Sequence, residues 1–416
     1  MSIKKISYLS FVVLLWNAIN AQYNTNFLNY RYIGRSISAN LDFDAGSSGM
    51  SSKLVDKLVM GGHIDDDLKK QSSKHLRASN NFGILLNYDL HAFLKGGKRF
   101  DYILGFKNQE VLNATYTRDF FNLMFYGNQM YKGATANLGN CNVNALRFQE
   151  VKFGAIMNKI DSVGKIGVSL SFIKGEQLFF INTNKNSSLF TSSDGKEVVF
   201  NSNFNMAISD TSNKNITSFN GVGASADIFF ETVYKSKVGK KSLLLVNANN
   251  IGFIHWLNNS VQYSSDSSLR FTGYHINNIN DLKDSTLNRI NKDSLLQNLS
   301  NARKENFNVN IPTNLVIINK IYFGQEKFCL STGFRYIFNA NYKPYVFVEP
   351  EYRYKNITFM LHAGYGGYVR INVGTSVMYN SKNWFLRLGS NSLQGYILPK
   401  SAYGQGLYFS LAKKLK

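Results

Sequence analysis

From Phe328 onward the chain alternates with a period of two. Phe328, Leu330, Thr332, Phe334, Tyr336 and Phe338 fall on one side, with Cys329, Ser331, Gly333 and Arg335 between them. The pattern returns at Val369, Ile371, Val373, Thr375, Val377 and Tyr379, interleaved with Arg370, Asn372, Gly374 and Ser376. A strand sends successive side chains to opposite faces, so these segments are strands with one apolar and one polar face. Soluble sandwiches and membrane barrels both alternate. Strands of roughly ten residues with an aromatic-ended apolar face and a polar second face suit the barrel.

The same reading extends along the chain. Residues 29–43 form a first strand region, broken at Ala45-Gly46-Ser47-Ser48-Gly49. Further strand candidates are 82–95, 99–108, 111–126, 145–158, 163–174, 177–183, 196–208, 220–235 and 242–256. Seven more follow from Thr313 to the end. The expectation is one antiparallel β-barrel of about 14 strands, with short turns at one end and long Asn/Ser-rich connections at the other. The loop candidates are 183–197, 209–219 and 257–268. Two segments change period: Leu54, Leu58, Ile64 and Leu68 within 50–77, and Leu282, Leu287, Ile290, Leu295, Leu296 and Leu299 within 278–306. Both read as helical insertions. Leu407, Phe409 and Leu411 continue the alternation to the C-terminus, as a closing strand would.

Composition supports this picture. Phe (32) and Tyr (24) are abundant, Pro (4) is scarce, and the mean hydropathy of −0.20 is too polar for a helical membrane protein. Residues 1–21 carry Lys4 and Lys5, a short apolar core from Leu9 to Trp16 and a small residue, Ala21, before Gln22. That is a secretory signal peptide, leaving 22–416 as a single barrel domain. The net charge is +21, of which Lys4 and Lys5 supply two. The basic residues are scattered and no nucleic-acid motif accompanies them. In an exported chain they match anionic lipid or lipopolysaccharide head groups or acidic surface polymers, and no nucleic acid is expected. Cys141, in a loop, and Cys329, on a strand, leave a disulfide and two free thiols both open.

A family resemblance rests on short motifs. Phe219-Asn220-Gly221-Val222-Gly223-Ala224-Ser225-Ala226-Asp227 leads into Ile251-Gly252-Phe253-Ile254-His255-Trp256, and Phe271-Thr272-Gly273 follows. The chain resembles the Bacteroidota outer-membrane proteins that carry the domain of unknown function 5723, themselves similar to FadL-like and PorV-like barrels. Asn250 stands where that family usually has Asp. The resemblance implies an outer-membrane barrel with internal helices and carries over no catalytic residue.

Chemistry-bearing candidates are few. Gly221 to Ala226 fits a loose dinucleotide fingerprint, but that needs a strand-to-helix turn, and here it lies inside an alternating strand. The six histidines, His63, His75, His91, His255, His275 and His362, are dispersed. His63 beside Asp65, Asp66 and Asp67 reads as an acidic helix start before a metal site. Ser331, Ser376 and Ser410 sit on strands without a suggestive His partner, so no enzyme, metal or cofactor is expected. Glu349, Glu351 and Arg353 share a face, and Arg335, Arg370, Asn372 and Arg387 come from polar faces of neighbouring strands. Together they are expected to form a lumenal ladder of paired charges or a polar constriction.

Two functions follow. The first is an accessory or adaptor barrel in an outer-membrane assembly or type 9-like secretion complex, with the helical insertions as partner surfaces. The alternative is a FadL-like channel for hydrophobic small molecules, with an apolar pocket or a lateral opening at a kinked strand; Gly333 and Gly366-Gly367 are kink candidates.

Overall fold

The alternation is realised with the polar face inward. In Ile371–Asn380 every second residue from Ile371 is exposed, 65% of its surface for Ile371 itself, while Asn372 between them keeps 6%. Trp384–Ser390 behaves alike: Leu388 is exposed and Arg387 buried. A wall that turns Leu, Ile, Val and Phe to its surroundings and Asn, Ser, Arg and Glu to its inside is suited to hydrocarbon, not to water.

A computed structural model describes residues 36–415 except 98, 161–163, 211, 213–215, 237–240, 258, 273–300 and 325. Fourteen strands form the wall. They are β1 (Ser36–Ser47), β2 (Ser79–Lys95), β3 (Phe100–Thr117), β4 (Asn142–Ile160), β5 (Gly164–Thr183), β6 (Gly221–Lys235) and β7 (Lys241–Trp256). After a long connection come β8 (Thr313–Phe323), β9 (Phe328–Phe338), β10 (Lys343–Tyr354), β11 (Ile357–Gly367), β12 (Ile371–Asn380), β13 (Trp384–Ser390) and β14 (Gly404–Lys414). Each pairs antiparallel with the next. The second half continues without a break, and β14 returns to β1, with Ser36 opposite Lys414 and Gly46 opposite Gly404. The closed ring leaves no edge, the condition for strands to cross a bilayer with every ladder bond satisfied. No helix among the described residues is long and apolar enough to cross a membrane.

One rim carries only short turns, and the chain's entry at Ser36 and exit at Lys414 lie there. The other rim carries the long connections. Between β1 and β2, Ser52–Met60 and Asp66–His75 form two helices, as the change of period over 50–77 indicated. Ser51 and Asp65 cap them by accepting from the backbone N–H of Leu54 (3.4 Å) and Leu68 (2.8 Å). Gly61, at φ 85°, ends the first helix in a conformation that suits glycine. Leu54, Val55 and Leu68 turn inward onto Met50, Leu76, Tyr116 and Phe121, so the pair caps the mouth.

Several expectations needed correction. Residues 99–108 and 111–126 are not two strands: β3 runs unbroken to Thr117, and Arg118–Tyr126 is a helix. Thr117 caps it, accepting from Phe120 N at 3.0 Å, and its short aromatic-rich sequence, Phe120-Phe121 and Leu123 to Tyr126, fits a strand as readily as a helix. Likewise 163–174 and 177–183 are one strand, β5, interrupted only by a bulge. The loop candidates 183–197 and 257–268 contain strands at Ser188–Thr191 and Val261–Phe271. These join Val198–Ile208 in a polar ribbon that extends the wall from the upper end of β5. In Val261–Phe271 the run Ser264-Ser265-Asp266-Ser267-Ser268 puts polar residues on both faces and so reads as loop. The insertion at 278–306 is strand over Asn301–Lys304, and 278–300 lies outside the described residues, as does the signal segment. The break at 45–49 begins later, since β1 continues to Ser47.

Candidate functional site: the lumen and its bulged wall

The ladder residues divide by position. Arg335, Glu349, Glu351, Asn372 and Arg387 are buried inside the wall. Glu351 accepts from Lys320 Nζ at 2.6 Å and from Ser331 Oγ at 2.9 Å. Glu349 lies 3.5 Å from both Arg387 and His362. His362 Nε2 bonds the Tyr345 hydroxyl at 2.6 Å, and Arg387 donates to the Tyr408 hydroxyl at 2.9 Å. Arg335 donates to Asn314 at 2.8 Å, and Asn372 accepts from the Ser392 hydroxyl. Arg353 is half-buried near the short-turn rim. Arg370 stands apart, in the turn after β11, where it donates to His75 O at 3.1 Å and ties the helical cap.

A second polar group, which sequence reasoning missed, fills the opposite side. Asp227 on β6 pairs with Lys152 and accepts from Ser169 at 3.1 Å and from Asn250 N at 2.8 Å. Asn250 occupies a left-handed turn (φ 62°) at a bulge in β7. Its side chain reaches across the lumen to Lys107 Nζ and Gln109 Oε1, each at 2.9 Å. Nearby, Asp89 holds His91 at 3.0 Å and Asn40 at 2.7 Å. The available signal was weak: charges two apart, Glu150 and Lys152, sharing one strand face as Glu349 and Glu351 do. A cavity of about 30 Å³ lined by Asn87, Lys107, Gln109, Asn249, Asn314 and Arg335 lies between these groups, large enough for water.

The wall itself departs from regularity between β4 and β5. Phe148 faces Gly175 while Arg147 faces Gln177, so Glu176 is the extra residue of a bulge. Its carboxylate meets Arg147 at 2.6 Å and Lys174 at 3.3 Å. Residues 216–220 lie over it: Asn220 donates to Glu176 O at 2.7 Å, and Lys174 to Ile216 O at 2.8 Å. Beside the bulge, the inner face changes character. Leu146, Phe148, Ile173, Leu178, Ile254 and Trp256 form an apolar cluster, with Ile254, Trp256, Phe148 and Ile173 wholly buried. Gly175 and Gly221 face it so closely that a methyl on either would meet Ile254 within 3 Å.

The remaining candidates resolve simply. Gly221–Ala226 lies inside β6, not at a strand-to-helix turn. Asp65 is a helix cap whose carboxyl is held below the usual range chiefly by the Leu68 N–H. Among the described residues no group of three or more His, Cys, Asp or Glu is placed to hold a metal. His275 lies outside them. Ser331, Ser376 and Ser410 face the lumen. Cys141 and Cys329 are separate, buried thiols, and burial raises Cys141 above its ordinary value. Gly333 and Gly366-Gly367 are not wall openings. Gly333 lies beneath the Phe347 ring, and the pair sits at the β11 turn.

The sequence profile of DUF5723, a family of unknown function, matches residues 25–397. No curated protein matches the chain. Among solved structures it is similar to the toluene transporter TbuX of Ralstonia pickettii, at 12% identity and a TM-score of 0.41, over 92% of this chain and 90% of that one. The P. putida toluene transporter TodX gives 9% and 0.39, over 95% and 94%. The translocator domain of the autotransporter NalP from Neisseria meningitidis gives 8% and 0.35, over 94% and 92%.

Proposed function

The chain belongs to the DUF5723 family, whose function is unknown, and we propose that it is an outer-membrane barrel that passes small hydrophobic molecules from its long-connection side into the wall. One observation carries this reading: an apolar cluster on the inner face set directly against the bulge at Glu176, separate from the larger apolar cluster that holds Phe93, Phe229, Tyr345 and Phe347. A barrel that merely braced its lumen with charge would have no use for Phe148, Ile173 and Trp256 beside a break in its ladder. The bulge is the natural place for the wall to part, because pairing is already disrupted there. The cluster is filled by its own side chains, so this is a closed state, and a ligand must displace them.

An accessory role in a secretion complex would use the helical insertions as docking faces. The helix pair at the mouth instead spends Leu54, Val55 and Leu68 on the barrel itself. The transport reading is tested by reconstituting the protein in vesicles and following entry of toluene or a medium-chain fatty acid. Flux above lipid background, raised by Trp256→Ala and lowered by a disulfide across Arg147→Cys and Gln177→Cys, is expected. Background flux in wild type and Trp256→Ala alike would sink it.

A further inference from the structure

The basic residues that are scattered in the sequence are gathered in space. The turn between β2 and β3 carries Lys95 and Arg99, and that between β6 and β7 carries Lys235 and Lys241, all exposed. Lys327, Lys355 and Lys382 occupy the next three short turns, also exposed. Lys413 and Lys414 end β14 at the same level. Among the described residues the carboxylates at this rim are Asp101 and Glu326, and Glu326 pairs with Lys241. The long-connection rim differs in carrying more carboxylates, and some of its cations pair with them, as in Lys57–Asp65 (3.6 Å), Lys69–Asp66 (2.8 Å) and Arg270–Glu197 (2.9 Å).

We propose that the short-turn rim is a docking ring for the phosphate head groups of anionic phospholipids in the leaflet that these turns face. The ring requires only that the wall span a membrane and is independent of what the lumen passes. Among the described residues the charge runs through five of the short turns and the end of β14, on both sides of the wall, so its partner must follow the rim rather than one arc. A lipid annulus does so; a globular partner covers one arc. The cations also stand at the correct depth. Tyr102, Tyr234, Tyr352, Tyr354, Tyr379 and Trp384 form an exposed aromatic girdle just inside the rim, where amphipathic rings mark the head-group level. Lys413 lies 5.4 Å from the Trp384 ring and Lys355 5.4 Å from that of Tyr354, so both ammonium groups emerge from the girdle itself. A lysine stem lying along apolar wall with its head at the phosphates is the usual snorkelling arrangement.

Trp384 provides the probe, since Trp256 is buried in the lumen and Trp16, in the segment expected to be cleaved on export, is replaced by Phe. The full chain is reconstituted with phosphatidylethanolamine and either brominated phosphatidylglycerol or brominated phosphatidylethanolamine, and tryptophan quenching is measured. The anionic lipid should compete about fivefold better for the Trp384 site. That preference should fade as salt rises. Lys355→Gln/Lys382→Gln/Lys413→Gln should abolish it, and Lys132→Gln/Lys185→Gln/Lys196→Gln at the other rim should leave it intact. If the triple rim variant does not insert, exposed Lys413→Gln alone should still reduce the preference. Equal quenching by both lipids in wild type, or a preference unchanged by the rim substitutions, overturns the proposal; an acidic protein as the true partner would give that result.

Discussion

The two halves of the wall solve the same problem differently. From β9 to β13 the strands are joined by turns of a few residues, the one register shift lies beside the Gly366-Gly367 turn, and inward charges meet partners on nearby strands. From β4 to β7 the connections include the long one that leads into the ribbon, both long pairings are bulged, and Asn250 reaches across the lumen to β3. Where alternation is unbroken, a buried charge finds its counter-charge in the ladder. Where bulges break it, Glu176 still meets Arg147 beside it, but Asn250 turns across the lumen to β3 and an apolar cluster fills the inner face nearby.

The largest test strikes the regular half. Glu349→Ala leaves Arg387 and His362 facing a buried gap, and breaking such a pair should cost about 3–5 kcal/mol. Urea titration of the folded band on a gel measures it. The double change Glu349→Leu/Arg387→Met removes both charges and should recover most of the loss. If the single substitution costs nothing, the ladder is not what holds this half.

In the bulged half, Asn250→Ala removes the side-chain ties to Lys107, Gln109 and Pro312 O and puts alanine in a left-handed turn that asparagine tolerates better, for about 2–3 kcal/mol. Asn250→Gly keeps the turn and loses only the ties. The same urea titration should rank wild type above the glycine variant and that above alanine. A glycine variant as stable as wild type would mean that the cross-lumen contacts are incidental and that the halves differ in shape alone.

How far the sequence could be read follows the same division. Phe328–Phe338 and Ile371–Asn380 declare strand, face and neighbours, because most outward residues are apolar and most inward ones polar or small, Ile337 and Met378 excepted. The inward burial of Arg335, Glu349, Glu351, Asn372 and Arg387 was legible for that reason. The group at Asp227, Lys152 and Asn250 was not. A bulge shifts parity by one, and nothing in Lys174-Gly175-Glu176-Gln177 announces which residue is extra. Lys107 and Asn250, 143 positions apart, share no local pattern. The strand at Val261–Phe271 escaped because its middle, Ser264 to Ser268, is polar on both faces, whereas Val198–Ile208 was legible within the candidate 196–208.

Packing offers a smaller test of the regular half. A methyl at Gly364 would stand 1.9 Å from the Tyr345 hydroxyl, which is held by His362. Gly364→Ala should therefore cost about 1–3 kcal/mol in the same titration. Adding Tyr345→Phe removes the oxygen in the way and should return part of it. No recovery would place the strain in the backbone.

The smallest effect concerns how the cap is attached. It is tied to the regular side: Ser52 N and Lys53 N donate to Ala402 O and Pro399 O at 2.8 Å each, and Asp56 accepts from Gln405 on β14. Burial raises the Asp56 carboxyl above its ordinary value, against the opposing pull of Gln405 and Lys53. The docked cap therefore favours the protonated acid. Its contribution is full below the ordinary carboxylate value of about 4 and is lost as pH rises through the higher docked value. Amide protection across Ser52–Met60 should fall by a modest factor over that weakly acidic range, and Asp56→Asn should flatten the profile and leave the cap better docked at neutral pH. Protection that instead grew with pH would show the carboxylate to be paired in place, and the cap to be held by charge, as the ladder is.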